Sequence, residues 1–153
     1  MLKNMYNFLT LSEDLFTGGM PTVDQLEDAA QKGVQVVINL APHDVIDALP
    51  NEEQLVTSLG MQYINIPVLW NTPTRDGLDR FMDVMDENKE KKILVHCQAN
   101  FRATAFMALY RILRLGWNPE DATKGMDMIW DVEDYPVWKM FILENLKRSG
   151  ERF

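Results

Sequence analysis

Residues 34–40 read VQVVINL, a run too continuously apolar for a strand with one wet face. A strand exposed on one side alternates core and solvent residues, because successive side chains point to opposite faces. A strand covered on both sides needs no alternation, and that cover comes mostly from the crossover helices of a parallel sheet. The neighbouring segments agree. Residues 15–17 (LFT) predict a weak strand closed by Gly18-Gly19. Thr22 with Gln25 forms a capping-box pattern ahead of an apolar stripe of Val23, Leu26, Ala29 and Ala30, and Gly33 suits that helix's end. Asn51 with Gln54 predicts a short helix ended by Gly60, and residues 61–68 (MQYINIPV) a third strand. Thr74 caps a helix whose Leu78, Phe81, Met82 and Met85 fall on one face. Residues 93–96 predict a fourth strand, and residues 103–115 a long helix stopped by Gly116. Two further helices open at Asn118-Pro119 and at Pro136.

This alternation predicts an α/β fold: a mostly parallel central sheet of about four strands flanked by helices, with extra C-terminal helices. The 153 residues suit one domain spanning 1–153, and 46% apolar with 25% charged residues is ordinary for a globular chain. A net charge of −8 argues against nucleic acid and anionic membrane as partners, so any bound anion must be drawn by a local site. Cys97 is the only cysteine, which points to a reducing compartment, the cytoplasm by default. With His43 and His96 as the only histidines and no ligand spacing, no metal and no other cofactor is expected. The first eleven residues hold no uninterrupted apolar stretch of signal-peptide or membrane-span length. Trp117, Trp130 and Trp138, and Met82, Met85, Met107 and Met140, are expected to be packing residues.

In parallel sheets ligands bind beyond the carboxyl ends of the strands, which directs attention to the loop His96-Cys97-Gln98-Ala99-Asn100-Phe101-Arg102. A lone cysteine at a strand end is most often a small buried hydrophobe. Here it stands where a strand turns into a helix, so backbone N–H groups and the helix dipole favour a thiolate and an oxyanion beside it. Arg102 adds a planar fork matching two oxygens. His96 is expected to orient the cysteine. Trp70, in the loop after the third strand, is expected to wall the pocket, and His43 and Asp44 lie in a loop on the same side of the sheet.

The stretch ILVHCQANFRATAF resembles the signature of the cysteine-dependent tyrosine and dual-specificity phosphatases, His-Cys-(five residues)-Arg-(Ser or Thr). Upstream, DLFTGGMPTVDQLEDAAQKGVQVVINL and LGMQYINIPV resemble a small bacterial branch related to the phosphatase-like domain of beta-lactamase-hydrolase-like proteins. The resemblance implies one phosphatase-like domain over 1–153, hydrolysing a phosphorylated small molecule or phosphoprotein. By it Cys97 is the nucleophile, forming a phospho-cysteine, Arg102 holds phosphate oxygens and Thr104 helps the thiolate leave. Gln98, Ala99, Asn100, Phe101 and Ala103, with His96, Trp70, His43 and Asp44, would bind substrate.

Two departures stand out. Four residues separate Cys97 from Arg102, so Ala103 holds the usual arginine position: either the loop is shorter or Arg102 points elsewhere. The family's aspartate after the strand matching INIPV is replaced by Leu69-Trp70-Asn71-Thr72, leaving Asp76, His43, Asp44 or the acidic residues 131–134 as candidate proton donors. The shorter spacing also matches many rhodanese-like sulfurtransferases, which work through a cysteine persulfide. A non-catalytic oxyanion-binding module is the third reading.

Overall fold

A computed structural model gives the fold of residues 1–148, and it supplies the cover that an apolar central strand requires. After a one-turn 3-10 helix at Leu2–Asn4 come β1 (Leu9–Ser12), β2 (Leu15–Gly18), α1 (Val23–Gln31) and β3 (Val36–Asn39). Then follow α2 (Glu52–Ser58), β4 (Gln62–Asn65), α3 (Arg75–Glu87), β5 (Ile93–His96) and α4 (Phe101–Leu113). The described chain closes with α5 (Pro119–Ala122), α6 (Lys124–Ile129), a 3-10 turn at Val132–Asp134 and α7 (Pro136–Arg148). The five strands lie in the order β1-β2-β5-β3-β4; β2, β5, β3 and β4 are parallel and β1 runs antiparallel at the edge.

Period-two alternation explains how one sheet serves two cores. Val36, Ile38, Ile93 and Val95 pack with Leu78, Phe81 and Met82 of α3 and with α4. Val37 and Leu94, between them in sequence, pack on the opposite face with Leu26 and Ala29 of α1 and Val56 of α2. Burying each such large aliphatic side chain contributes about 1.5–3 kcal/mol. α4 is buried from Arg102 to Tyr110, since the sheet lies under it and α6 and α7 pack over it. β5 sits mid-sheet, so the loop after it emerges at the centre of the carboxyl-end face.

Several expectations need correction. The edge strand β1 was not foreseen: its LTLS sequence is short and only half-buried, too weak a pattern to separate from a loop. Asn51 precedes α2 but does not cap it, because its left-handed backbone (φ 58°) lacks the extended conformation from which a side chain reaches the first amides. α4 begins at Phe101, so Arg102 belongs to its first turn. Met140 is exposed, and so is Trp117, which lies 4.1 Å from the Arg111 guanidinium over its ring.

Gly19, just after β2, touches the loop after β5 so closely that a Cβ there would stand 2.6 Å from the Gln98 carbonyl oxygen. Gly19→Ala should destabilise the protein by about 1–3 kcal/mol, the usual range for overpacking. A urea-unfolding midpoint equal to wild type would contradict this close approach.

Candidate active site

The loop joining β5 to α4 is best understood by asking where its peptide groups point. The Cys97 N–H donates to the Gly18 carbonyl of β2 (3.2 Å). The Gln98 carbonyl accepts from the Met20 N–H (3.0 Å), and the Ala99 carbonyl from Asn7 Nδ2 (2.9 Å). The peptides of the loop are trans, so a carbonyl turned outward sends the next residue's N–H the other way. The N–H of Ala99 therefore points away from Met20, and that of Asn100 away from Asn7 Nδ2. Asn100 takes a left-handed backbone (φ 69°), and its Nδ2 is anchored to the Asn7 carbonyl (2.8 Å) and Thr17 Oγ1 (3.0 Å). The helix follows at once, and the first-turn amides of Phe101, Arg102 and Ala103 precede its first backbone bond, Thr104 N–H to Asn100 carbonyl. These first-turn amides have no partner within the helix, the feature that suits a helix start to an oxyanion.

Cys97 lies at the floor of this space, 1% exposed. A cavity of about 420 Å³ opens above it, lined by Trp70, Cys97, Gln98, Ala99, Phe101, Arg102 and Tyr135. Despite its early position, Arg102 points into this same cavity; the shorter loop starts the helix sooner and brings the arginine round to the cysteine. Its side chain is only 6% exposed, its Nη2 donates to Gln98 Oε1 (3.2 Å), and its Nε has no partner among the described residues. Burial pulls the guanidinium pKa down, while the neighbouring Cys97 and Asp47 oppose that fall. A buried cation with an unpartnered N–H is built to receive an anion.

Behind the loop lies a buried polar chain. His96 Nε2 meets Glu52 Oε2 at 2.5 Å and its Nδ1 faces the Cys97 carbonyl at 3.3 Å. These two contacts fix the plane of the imidazole directly behind Cys97. Glu52 Oε1 accepts from Asn39 Nδ2 (3.3 Å), which also donates to the Tyr63 hydroxyl (3.1 Å). Burial, reinforced by the charges of Glu52 and Glu53 and opposed by the Asn39 bond, pushes the Tyr63 phenol up to about 12. It keeps its proton, and its oxygen lies 2.9 Å from His43 Nε2.

The cavity wall is aromatic. Trp70 lies within 6.0 Å, centroid to centroid, of Phe101, Trp130, Tyr135 and Trp138, and Phe101 stacks on Trp130 at 4.8 Å. Trp138 Nε1 donates to the Trp70 carbonyl (2.8 Å). The segment from α6 to α7 thus folds back against the site and supplies Tyr135 to it. Other candidates fall elsewhere. His43 lines a second cavity, beside Asn39 and Glu52, and Asp44 lines neither. Ala103 is buried in α4. Thr104 donates to the Asn100 carbonyl (2.7 Å) and accepts from Trp130 Nε1 (3.0 Å), so its proton is already engaged within the helix start. Among the described residues no cluster of His, Cys, Asp and Glu could hold a metal, and no helix is long and apolar enough to cross a membrane.

The sheet order and the cysteine–arginine cradle define the class of dual-specificity and tyrosine phosphatase-like proteins, and solved structures agree. A DUF442 protein from Shewanella putrefaciens CN-32, described as a candidate phosphatase, superposes with a TM-score of 0.89 at 38% identity, covering 98% of this chain and 95% of that one. P. aeruginosa TpbA in complex with pTyr (TM-score 0.71, 16% identity, 89% and 82% covered) and PTPMT1 in complex with PI(5)P (0.71, 18%, 92% and 97%) share the fold. No curated protein matches. Residues 7–132 match the family described as DSP-PTPase phosphatase fused to NAD+ kinase, and the chain belongs to that family.

Asn7, Asn39, Glu52, Tyr63 and Tyr135 escaped the sequence reading. Asn39 carried the one usable signal, a polar residue inside an otherwise apolar strand. Leaving a buried hydrogen-bonding group without its partner costs about 1–3 kcal/mol, so Glu52→Ala should destabilise the fold by that order. Urea unfolding checks it; a loss near zero would mean that the His96–Glu52 contact contributes nothing to stability.

Proposed function

We propose that the protein is a phosphoric monoester hydrolase acting through a Cys97 thiolate and a phospho-cysteine intermediate. The observation that carries this reading is the buried Arg102, with its unpartnered Nε, beside Cys97 in an amide-lined cavity. A phosphoryl group set there has its oxygens met by the inward amides and the guanidinium while phosphorus faces the sulfur. Charge that builds on those oxygens during attack is stabilised by donors already in place. Gln98, Ala99, Asn100, Phe101 and Ala103 act as the binding loop, and His96 holds it from behind.

The substrate is a phosphorylated small molecule or phosphoprotein. The rings of Trp70, Phe101 and Tyr135 favour an ester whose leaving group presents a flat or apolar surface. The pTyr and PI(5)P bound by the two distant fold relatives fit this class of ester. A lone buried thiol fits work in the reducing cytoplasm.

An aryl phosphate assay tests the proposal. Cys97→Ser should abolish turnover. Arg102→Ala should lower kcat by about 10²–10³-fold, as expected for losing a key oxyanion donor. Arg102→Lys should recover only part of that loss, since it restores charge without the fork. Equal turnover by wild type and Cys97→Ser would sink the covalent mechanism.

A further inference from the structure

When the ester P–O bond breaks, the leaving oxygen needs a proton unless it departs as a stabilised anion. Attack by Cys97 Sγ is in line, so that oxygen leaves on the far side of phosphorus from the sulfur. With Cys97 on the cavity floor, the far side is the mouth. The proton donor must stand at the rim.

The loop after β4 supplies none. Its residues Leu69-Trp70-Asn71-Thr72 include no acid, and Trp70 is held by the Trp138 bond and four neighbouring rings. Other carboxylates are committed or remote. Glu52 is buried behind the loop with His96 and Asn39. Asp131 caps the Glu133 N–H, and Glu133 pairs with Lys139. Asp76 is exposed in the first turn of α3, and among the described residues it bonds to none that lines the cavity.

Asp47, in the loop between β3 and α2, differs from all of these. Its Oδ1 accepts from Gln98 Nε2 at 2.8 Å, and Gln98 Oε1 accepts from Arg102 Nη2. One amide group therefore separates this carboxylate from the guanidinium that would hold the phosphate. Gln98 lines the cavity, and Asp47, exposed and outside that lining, meets it from the solvent side. Asp47 is exposed and can exchange protons with water, while Val45 packs on the core and pins the loop.

Resting on the phosphatase reading above, we propose that Asp47 is the proton donor to the leaving group. As the Sγ–P bond forms and the P–O bond breaks, the electron pair stays on the leaving oxygen, which takes the Asp47 carboxyl proton. The resulting carboxylate then takes a proton from water as that water's oxygen attacks the phospho-cysteine. The P–S pair returns to sulfur, inorganic phosphate is released, and both groups are restored.

The test is the leaving-group dependence of turnover in Asp47→Asn, which keeps an oxygen acceptor for Gln98 but has neither the transferable proton nor the negative charge; only loss of the proton makes the effect depend on the leaving group. Wild type and variant are assayed on 4-nitrophenyl, phenyl and benzyl phosphate. The loss should be small on the nitrophenyl ester, whose anion leaves unaided, and reach about 10²–10⁴-fold on the other two. A uniform loss across all three would make Asp47 a positioning residue and overturn the proposal, as would no loss. A selective loss in Asp134→Asn instead, the exposed carboxylate next to Tyr135, would also overturn it. If wild type hydrolyses none of the esters, or Cys97→Ser hydrolyses them equally, the phosphatase reading fails and takes this inference with it.

Discussion

The carbonyl groups of Gln98 and Ala99 point away from Cys97, held by the Met20 N–H and the Asn7 side chain. That reversal sends the Ala99 and Asn100 amides the other way, and the oxyanion cradle of the proposed reaction depends on it. It needs Gly19, where any side chain would collide with the Gln98 carbonyl, and Asn100, whose left-handed backbone starts the helix and whose amide ties back to Asn7 and Thr17. The N-terminal segment is thus part of the site's support. In a chain of net charge −8, the anion of the proposed reaction would be drawn here only by fixed dipoles and Arg102 acting at close range.

Two buried polar side chains flank the cysteine, each with a different cost. His96 is bonded to Glu52, which in turn is bonded to Asn39, so the pair is nearly fully satisfied inside the protein. Arg102 is not: its Nη2 bonds Gln98, while its Nε has no partner among the described residues. Desolvating a cation that incompletely is unfavourable until an anion arrives. Binding energy and catalytic preorganisation therefore share one source, with the protein's folding supplying the desolvation in advance.

The frame of this fold was legible because its signals are periodic and local. The apolar run through β3, the Thr22 capping box and the face made by Leu78, Phe81, Met82 and Met85 each report on neighbouring residues alone. The Cys97 loop was legible through a contiguous motif. The supporting residues were not, because Asn7, Glu52 and Asp47 meet the loop, and Tyr63 meets Asn39 behind it, only through tertiary folding across long stretches of chain. Glu52 in particular sits in the first turn of α2, where an acidic residue usually just complements the dipole. The spacing of Arg102 left two readings open, and it took the observed helix start at Phe101 to show the guanidinium beside Cys97.

The central claim is a covalent one: phosphorus becomes bonded to Cys97 during turnover. Rapid acid quench of the protein with an aryl phosphate, followed by peptide mass spectrometry, tests it most directly. The account predicts one phosphate on the peptide containing Cys97, absent from Cys97→Ser and decaying as free phosphate appears. Turnover with phosphate never found on that peptide, or a persulfide found there in its place, would contradict it.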